Sequence, residues 1–273
     1  MKTARLALRV LLVLASSAAV ARAADVPRLG HHPNLNGIWQ AMNTADWNLE
    51  AHSAQKIDSQ WQLGALFAIP AGKSVVVGGT IPYLPQALKQ REEFRAQWPK
   101  SDPETLCYLP GIPRATYMPY PFQIVQGDAD ILMVYSYATS NRTIHMGKHE
   151  EPPVDSWMGR SEGHWEGNTL VVATHGFNGR AHLDRAGNFF SPALQVVERF
   201  TLESPEVIRY EATLTDPQTY SAPWTLRMPL YKHVEQNAEI LEFKCVPFVE
   251  ELLYKDLELP GKSILGPARK PGE

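Results

Sequence analysis

From Phe122 onward, apolar and polar residues alternate in short runs separated by turn residues. This period of two predicts strands at 122–126, 131–138, 143–146, 157–165, 169–176, 194–202, 207–215, 224–229 and 240–245. Gly167-Asn168 is a two-residue hairpin signal between two of these runs. Upstream, Leu35-Asn36-Gly37-Ile38-Trp39 predicts the start of a first strand within an irregular segment. One helix is expected over 86–97 (QALKQREEFRAQ), opened by Pro85 and stopped by Pro99. Its apolar positions Ala87, Leu88, Phe94 and Trp98 form a narrow stripe suited to packing on the outside of a larger body. Residues 99–121 follow as a proline-punctuated loop, and EELLYKDLEL at 250–259 suggests a short second helix. The expected fold class is therefore mainly β: an antiparallel meander closing into a lipocalin-like, calycin-like barrel, with one packed helix near 86–97. A sandwich has the same periodicity.

The N-terminus adds an address. Lys2, Arg5 and Arg9 precede an apolar run at 10–21, and Ala21-Arg22-Ala23 places small residues before a cut ahead of Ala24. That pattern predicts a signal peptide at 1–23, a single barrel-like domain at 24–255 and a flexible tail at 256–273. A periplasmic or secreted location follows, with no membrane span because the run is too short for one. The whole chain has 26 basic and 29 acidic residues. Residues 1–23 hold four of the basic ones and no acid, so the mature chain carries 22 against 29, a net charge of −7. An acidic chain without a basic run lacks the footprint of a nucleic-acid binder. Cys107 and Cys245 are the only cysteines. In an exported chain such a pair predicts a disulfide, two buried thiols being the alternative.

Candidate chemistry comes from side chains out of phase with their surroundings. Glu198 falls on the face shared by Leu194, Val196, Phe200 and Leu202, so it must be paired, hydrogen-bonded or raised in pKa. It is either an acid–base group in a pocket, a residue turned outward by a bulge, or a structural partner of an arginine such as Arg142. His175 shares a face with Val171, Ala173 and Phe177. His182 and Asp184 lie in the polar loop after Phe177, where a carboxylate orienting an imidazole would suit acid–base chemistry and a turn is the plainer reading. Tyr135 and Tyr137 share a face with Ile131 and Met133. The ligand-binding candidates are Tyr135, Tyr137, Arg142, Trp157 and His145, and the catalytic candidates are His175, His182, Asp184 and Glu198.

Several chemistries find no motif. There is no phosphate loop or dinucleotide fingerprint, and Gly159-Arg160-Ser161-Glu162-Gly163 lacks the helix that a nucleophile elbow requires. His145 and His149 are four apart, but Gly147 argues against a helix bringing them together, and no spacing signals a metal. No metal and no cofactor are expected.

The motifs Trp157-Met158-Gly159, Gly163-His164-Trp165-Glu166-Gly167-Asn168-Thr169-Leu170-Val171-Val172, Gly176-Phe177-Asn178, Leu183-Asp184 and Val197-Glu198-Arg199-Phe200 resemble a widespread family of exported bacterial proteins of uncharacterised function. The run from Cys107 to Arg114, Pro121-Phe122, Asp216-Pro217 and Pro223-Trp224 fit the same pattern. The likeness covers roughly 82–245 and implies a shared fold and export, without a reaction. His164, Gly179, Glu162, His175 and His182 depart from it, so the acid–base candidates are partly this chain's own. The strand order and the Gly37-x-Trp39 start are also similar to lipocalin-type barrels and their enzymatic relatives, an analogy of architecture. Two functional expectations result. One is a barrel holding a small, partly apolar or aromatic ligand in an aromatic-lined cavity. The other is a cofactor-independent lyase, isomerase or cyclase using His175, His182, Asp184 and Glu198, with Tyr135 or Arg142 stabilising charge. A structural or partner-binding role would instead go with a filled interior.

Overall fold

A computed structural model describes residues 26–54, 69–147, 150–247 and 249. The expected signal peptide, the 250–259 helix and the C-terminal tail lie outside them. Strands β1 (Arg28–Leu29) and β2 (His32–Pro33) form a small separate ribbon. Nine further strands follow: β3 (Gly37–Ala41), β4 (Phe122–Gln126), β5 (Asp130–Tyr135), β6 (Asn141–Met146), β7 (Arg160–Glu166), β8 (Thr169–His175), β9 (Gln195–Ser204), β10 (Val207–Thr215) and β11 (Trp224–Lys232). They close into a barrel in the order β10-β11-β3-β4-β5-β6-β7-β8-β9. The barrel, not the sandwich, is the fold.

Alternation fixes the wall. Val172, Glu198 and Ala212 lie opposite one another across β8, β9 and β10, and therefore share the inner face. Phe122, Ile124, Met133, Tyr135, Phe200, Tyr210 and Leu226 are all buried in one apolar core. These side chains face the barrel interior. On the outside, hydroxyl pairs such as Thr169–Thr201 and Thr213–Thr225, each at 2.8 Å, span adjacent strands.

One connection departs from a meander. β6 and β7 run parallel, paired only at Ile144–Ser161, His145–Glu162 and Met146–Gly163. A tight hairpin can join only antiparallel strands, and a parallel pair needs about a dozen residues of crossover. The proline-bearing stretch 147–159 supplies them. The strand expected at 240–245 does not form; that stretch is irregular. With β3 and β11 already joined, no barrel edge is left for it, and it is instead tied down by the Cys107–Cys245 disulfide. Tyr137 also leaves its expected face. β5 stops at Tyr135, and the turn that follows takes Ala138 and Thr139 to positive φ.

Helix α1 (Pro85–Ala96) forms where its composition predicts, with Ala87 and Trp98 of the expected stripe buried and Phe94 packed on His182 and Phe189, but with two arginines buried and Leu88 left out. Ala87, Arg91 and Arg95 are buried, and Leu88 is exposed. The backbone of Gly187 explains why the arginines are covered. A Cβ there would lie 2.7 Å from the Arg91 carbonyl and the Arg95 amide nitrogen, so the helix rests directly on the 182–189 loop. Arginine stems then cover apolar surface along the contact. Helix α2 (Arg114–Tyr117) is a single turn packed against β3.

Candidate ligand-binding site

The short parallel pairing creates a wedge. Residues 141–143 of β6 precede the first rung of the ladder and have no partner on β7. There the strands part around a cavity of about 240 Å³. Its apolar wall is Pro152, Pro153, Val154 and Met158, and its neutral polar groups are Asn141, Thr143, Ser156 and Ser161.

Arg142 and Ser161 belong both to this cavity and to a polar network within the barrel. Arg142 is 3 % exposed and Glu198 0 %. The Arg142 guanidinium donates from Nε to Ser161 Oγ at 2.7 Å and from Nη2 to Thr174 Oγ1 at 2.8 Å. It grips both Glu198 oxygens, at 3.2 Å through Nη1 and by a shorter bond through Nη2. Tyr210 donates its hydroxyl to Glu198 Oε1 at 2.8 Å. Burial alone would lower the Arg142 pKa, but the Glu198 carboxylate outweighs it and holds the guanidinium above its ordinary range. Burial, followed by the Glu198 charge, lifts the Tyr210 phenol well above the usual value. Both groups thus stay protonated, as a bidentate buried pair requires.

The other ionisable groups around the cavity are similarly committed. Arg160 pairs with Glu150 at 3.0 Å and Glu162 at 3.2 Å, and His145 Nδ1 lies 2.8 Å from Asp130 Oδ1. Ser161 is held by Arg142 and Thr174, and Ser156 accepts from the Gly159 amide, so Asn141, Thr143 and the apolar wall are the groups that can meet a small molecule.

The catalytic candidates do not meet around one cavity. His175 pairs with Arg160 across β7 and β8 and belongs to the outer face, whereas Glu198 faces inward opposite Val172. Asp184 is a fastener in the 176–194 loop. It accepts from the amides of Leu49, Ala186 and Asn188 at 2.8, 2.9 and 3.1 Å and from the Asn188 side chain at 2.6 Å. Burial raises its pKa despite these donors. His182 is buried against Phe94, with ring centroids 4.6 Å apart, and burial drives its pKa down to about 4. The ligand-binding candidates also separate. Arg142 and His145 line the wedge, while Tyr135 is core and Trp157 stacks on Tyr108. Tyr137 donates to the Glu104 carbonyl at 2.9 Å. Among the described residues, no three His, Cys, Asp or Glu side chains are grouped to hold a metal ion.

Sequence reasoning missed Ser161, Thr174 and Tyr210. Each has the inward phase of its own strand, but only the register shows that they surround Glu198. It also missed a buried ion cluster beside the barrel. Arg114 reaches Asp46 at 2.9 Å, Asp102 at 2.9 Å and Glu104 at 2.5 Å. Arg185 reaches Glu104 at 2.8 Å and Asp46 at 3.3 Å, with its guanidinium 4.5 Å above the Trp47 ring. Three acids thus face two arginines, and burial, then Glu104, lifts Asp46 to about pKa 6. The only sequence signal was Arg114, at the end of the Cys107–Arg114 motif.

No family model and no curated protein matches the chain. Its reading therefore rests on its own geometry.

Proposed function

We propose that this chain is a periplasmic or secreted small-molecule-binding barrel whose ligand sits in the wedge between β6 and β7. The occupant is a small, neutral, partly apolar molecule carrying an oxygen acceptor or a hydroxyl. One observation carries this reading. The arginines in the cavity wall are already paired with carboxylates, while its threonine and asparagine groups share the lining with proline, valine and methionine side chains. A ligand anion would meet Glu150, Glu162 and Glu198 close behind those arginines, and a ligand cation would meet Arg142 and Arg160. A neutral molecule avoids both penalties, and a volume just below the usual range for ligand pockets suits only a compact molecule. The disulfide fits an oxidising compartment. Among the described residues, no helix is long and apolar enough to cross a membrane.

Three shape-matched probes test this by saturation-transfer NMR on the mature chain: cyclohexanone, cyclohexanecarboxylate and cyclohexylamine. Cyclohexanone should bind best, and Val154→Asp, a change at an exposed wall position, should abolish the preference. Equal binding of all three probes, or no effect of Val154→Asp, would refute the assignment. N-terminal sequencing of protein secreted by its host should begin at Ala24.

A further inference from the structure

A second cavity, of about 300 Å³, opens on another part of the surface. We infer that it is a carbohydrate subsite, taking one pyranose ring flat against Tyr108, independently of the β6–β7 wedge. The Tyr108 and Trp157 rings in its wall lie nearly parallel, with centroids 4.9 Å apart at 14°. Trp157 packs against the barrel core, and Tyr108 covers Trp157. The open surface of this stack is therefore the outer side of Tyr108, which is 48 % exposed. A platform open on one side suits a molecule with an apolar face and hydrated edges. A pyranose with equatorial hydroxyls is such a molecule. Its axial C–H bonds, slightly positive, meet the negative face of the aromatic ring, while its hydroxyls project sideways to the rim.

Three separately fastened segments hold the platform and its rim. Pro103–Leu106 forms a 3-10 turn capped by Asp102, whose side chain accepts from the Glu104 amide at 3.1 Å. Cys107 follows at positive φ in the disulfide, and Tyr108 comes directly after it. Trp157 follows Ser156, whose amide donates to the Gly176 carbonyl at 2.9 Å and whose carbonyl accepts from the Asn178 amide at 2.8 Å. Arg180 follows Gly179, whose φ is +67° and where a Cβ would lie 2.5 Å from Pro192 Cδ. A side chain at that turn would have to displace the proline, so glycine lets the loop carry Arg180 to the cavity. The Arg180 amide is further fixed by the Asn178 side chain at 3.0 Å.

The rim supplies hydrogen bonds of both kinds. Among the described residues, neither the Arg180 guanidinium nor the Trp157 indole N–H has a hydrogen-bond partner, so both can donate to a ligand. Ser101 spends its hydrogen on the Phe94 carbonyl at 2.6 Å, which leaves its oxygen to accept. A sugar hydroxyl donates and accepts, and several of them on one ring answer donors and acceptor together. Lys100, also in the wall, already has a partner, and neither the stacking nor these hydrogen bonds draws on it. The reading needs no net charge on the ligand. It therefore differs from the wedge in kind: the wedge offers a proline, valine and methionine wall, and this cavity offers a flat ring with a polar border.

The probe is methyl β-cellobioside, whose ring substituents are all equatorial, titrated into the isotope-labelled mature chain and read on the tryptophan indole N–H resonances. A saturable shift of the Trp157 resonance, identified by its loss in Trp157→Phe, is expected at millimolar sugar and should not weaken as salt rises. Tyr108→Ala, at an exposed position, should weaken binding about tenfold, whereas Tyr108→Phe, which keeps the platform, should stay within about twofold of wild type. Arg180→Gln, also exposed, should weaken it about threefold. Val154→Asp, in the other cavity, should leave the sugar unaffected, which separates failure of this site from failure of the wedge. Absence of a saturable Trp157 shift overturns the inference, and so does wild-type affinity in Tyr108→Ala. Displacement of the sugar by an equal concentration of 2-naphthalenemethanol would assign the platform to planar aromatics and overturn it as well.

Discussion

Replacing Arg142 with methionine keeps much of the side chain's length but removes every donor that holds Glu198 from β6. The carboxylate, fully buried, would retain only the Tyr210 hydroxyl among these contacts. Breaking a buried pair on one side costs about 3–5 kcal/mol, because the remaining charge is left uncompensated. Against a typical stability of about 5–15 kcal/mol this is a large fraction. For a chain of this size it corresponds to a fall in Tm of roughly 10 °C. Glu198→Gln should cost a similar amount by stranding the guanidinium. The double variant Arg142→Met/Glu198→Gln removes both charges while an amide oxygen still accepts from Tyr210. Its loss should therefore be smaller than the sum of the single losses by about 2 kcal/mol or more. Urea denaturation of the four proteins closes the cycle. Strict additivity, or a loss below about 1 kcal/mol in Arg142→Met, would show that the pair does not hold the barrel wall together.

Two further outcomes are open to direct measurement. The Cys107–Cys245 bond spans 138 positions, and removing it as the double serine variant should cost up to about 4–5 kcal/mol in the chain-entropy treatment; unchanged urea midpoints with and without reductant would contradict that. Asp46 and His182 should tilt the pH profile in opposite directions. The raised Asp46 pKa contributes stability that is present below 3.8 and lost as pH rises through about 6. The depressed His182 pKa contributes stability that is present above 6.5 and lost as pH falls toward about 4. Asp46→Asn should therefore steepen the loss of stability on acidification from pH 6.5 to 4, and His182→Asn should lessen it. Urea midpoints that run parallel to wild type across that window would rule out both assignments.

Strand existence was legible because each barrel wall residue alternates between a packed interior and water. β4 and β10 match their expected limits. Helix α1 was legible as an element, and Ala87, Phe94 and Trp98 as packed positions, but the burial of Arg91 and Arg95 was not, because it depends on Gly187, which lies about 90 positions away. The parallel seam was hidden for a related reason: a run of alternating residues has the same period in either strand direction. Glu198 was the clearest single signal. A carboxylate in phase with Val196 and Phe200 demands a partner, and Arg142 was among the named options. The neighbouring Ser161, Thr174 and Tyr210 required the register between strands, which periodicity does not encode. The cluster joining Asp46, Asp102, Glu104, Arg114 and Arg185 was less visible still. Its members come from loops with no shared period, and each looks like an ordinary surface charge until the fold encloses it.

The rungs Trp39–Lys232 and Ala41–Leu230 join the first and last staves of the barrel. Nearly two hundred residues separate them, so these rungs carry a far larger ring-closing entropy than any hairpin in the wall. A chain emerging from the ribosome or a translocation pore can zip β7 through β10 as each hairpin appears. It cannot shut the cylinder until β11 is free. Until then β3 and β10, the two neighbours of β11, each offer a bare strand margin to any neighbour, which makes the interval before closure the period of greatest exposure to misassociation.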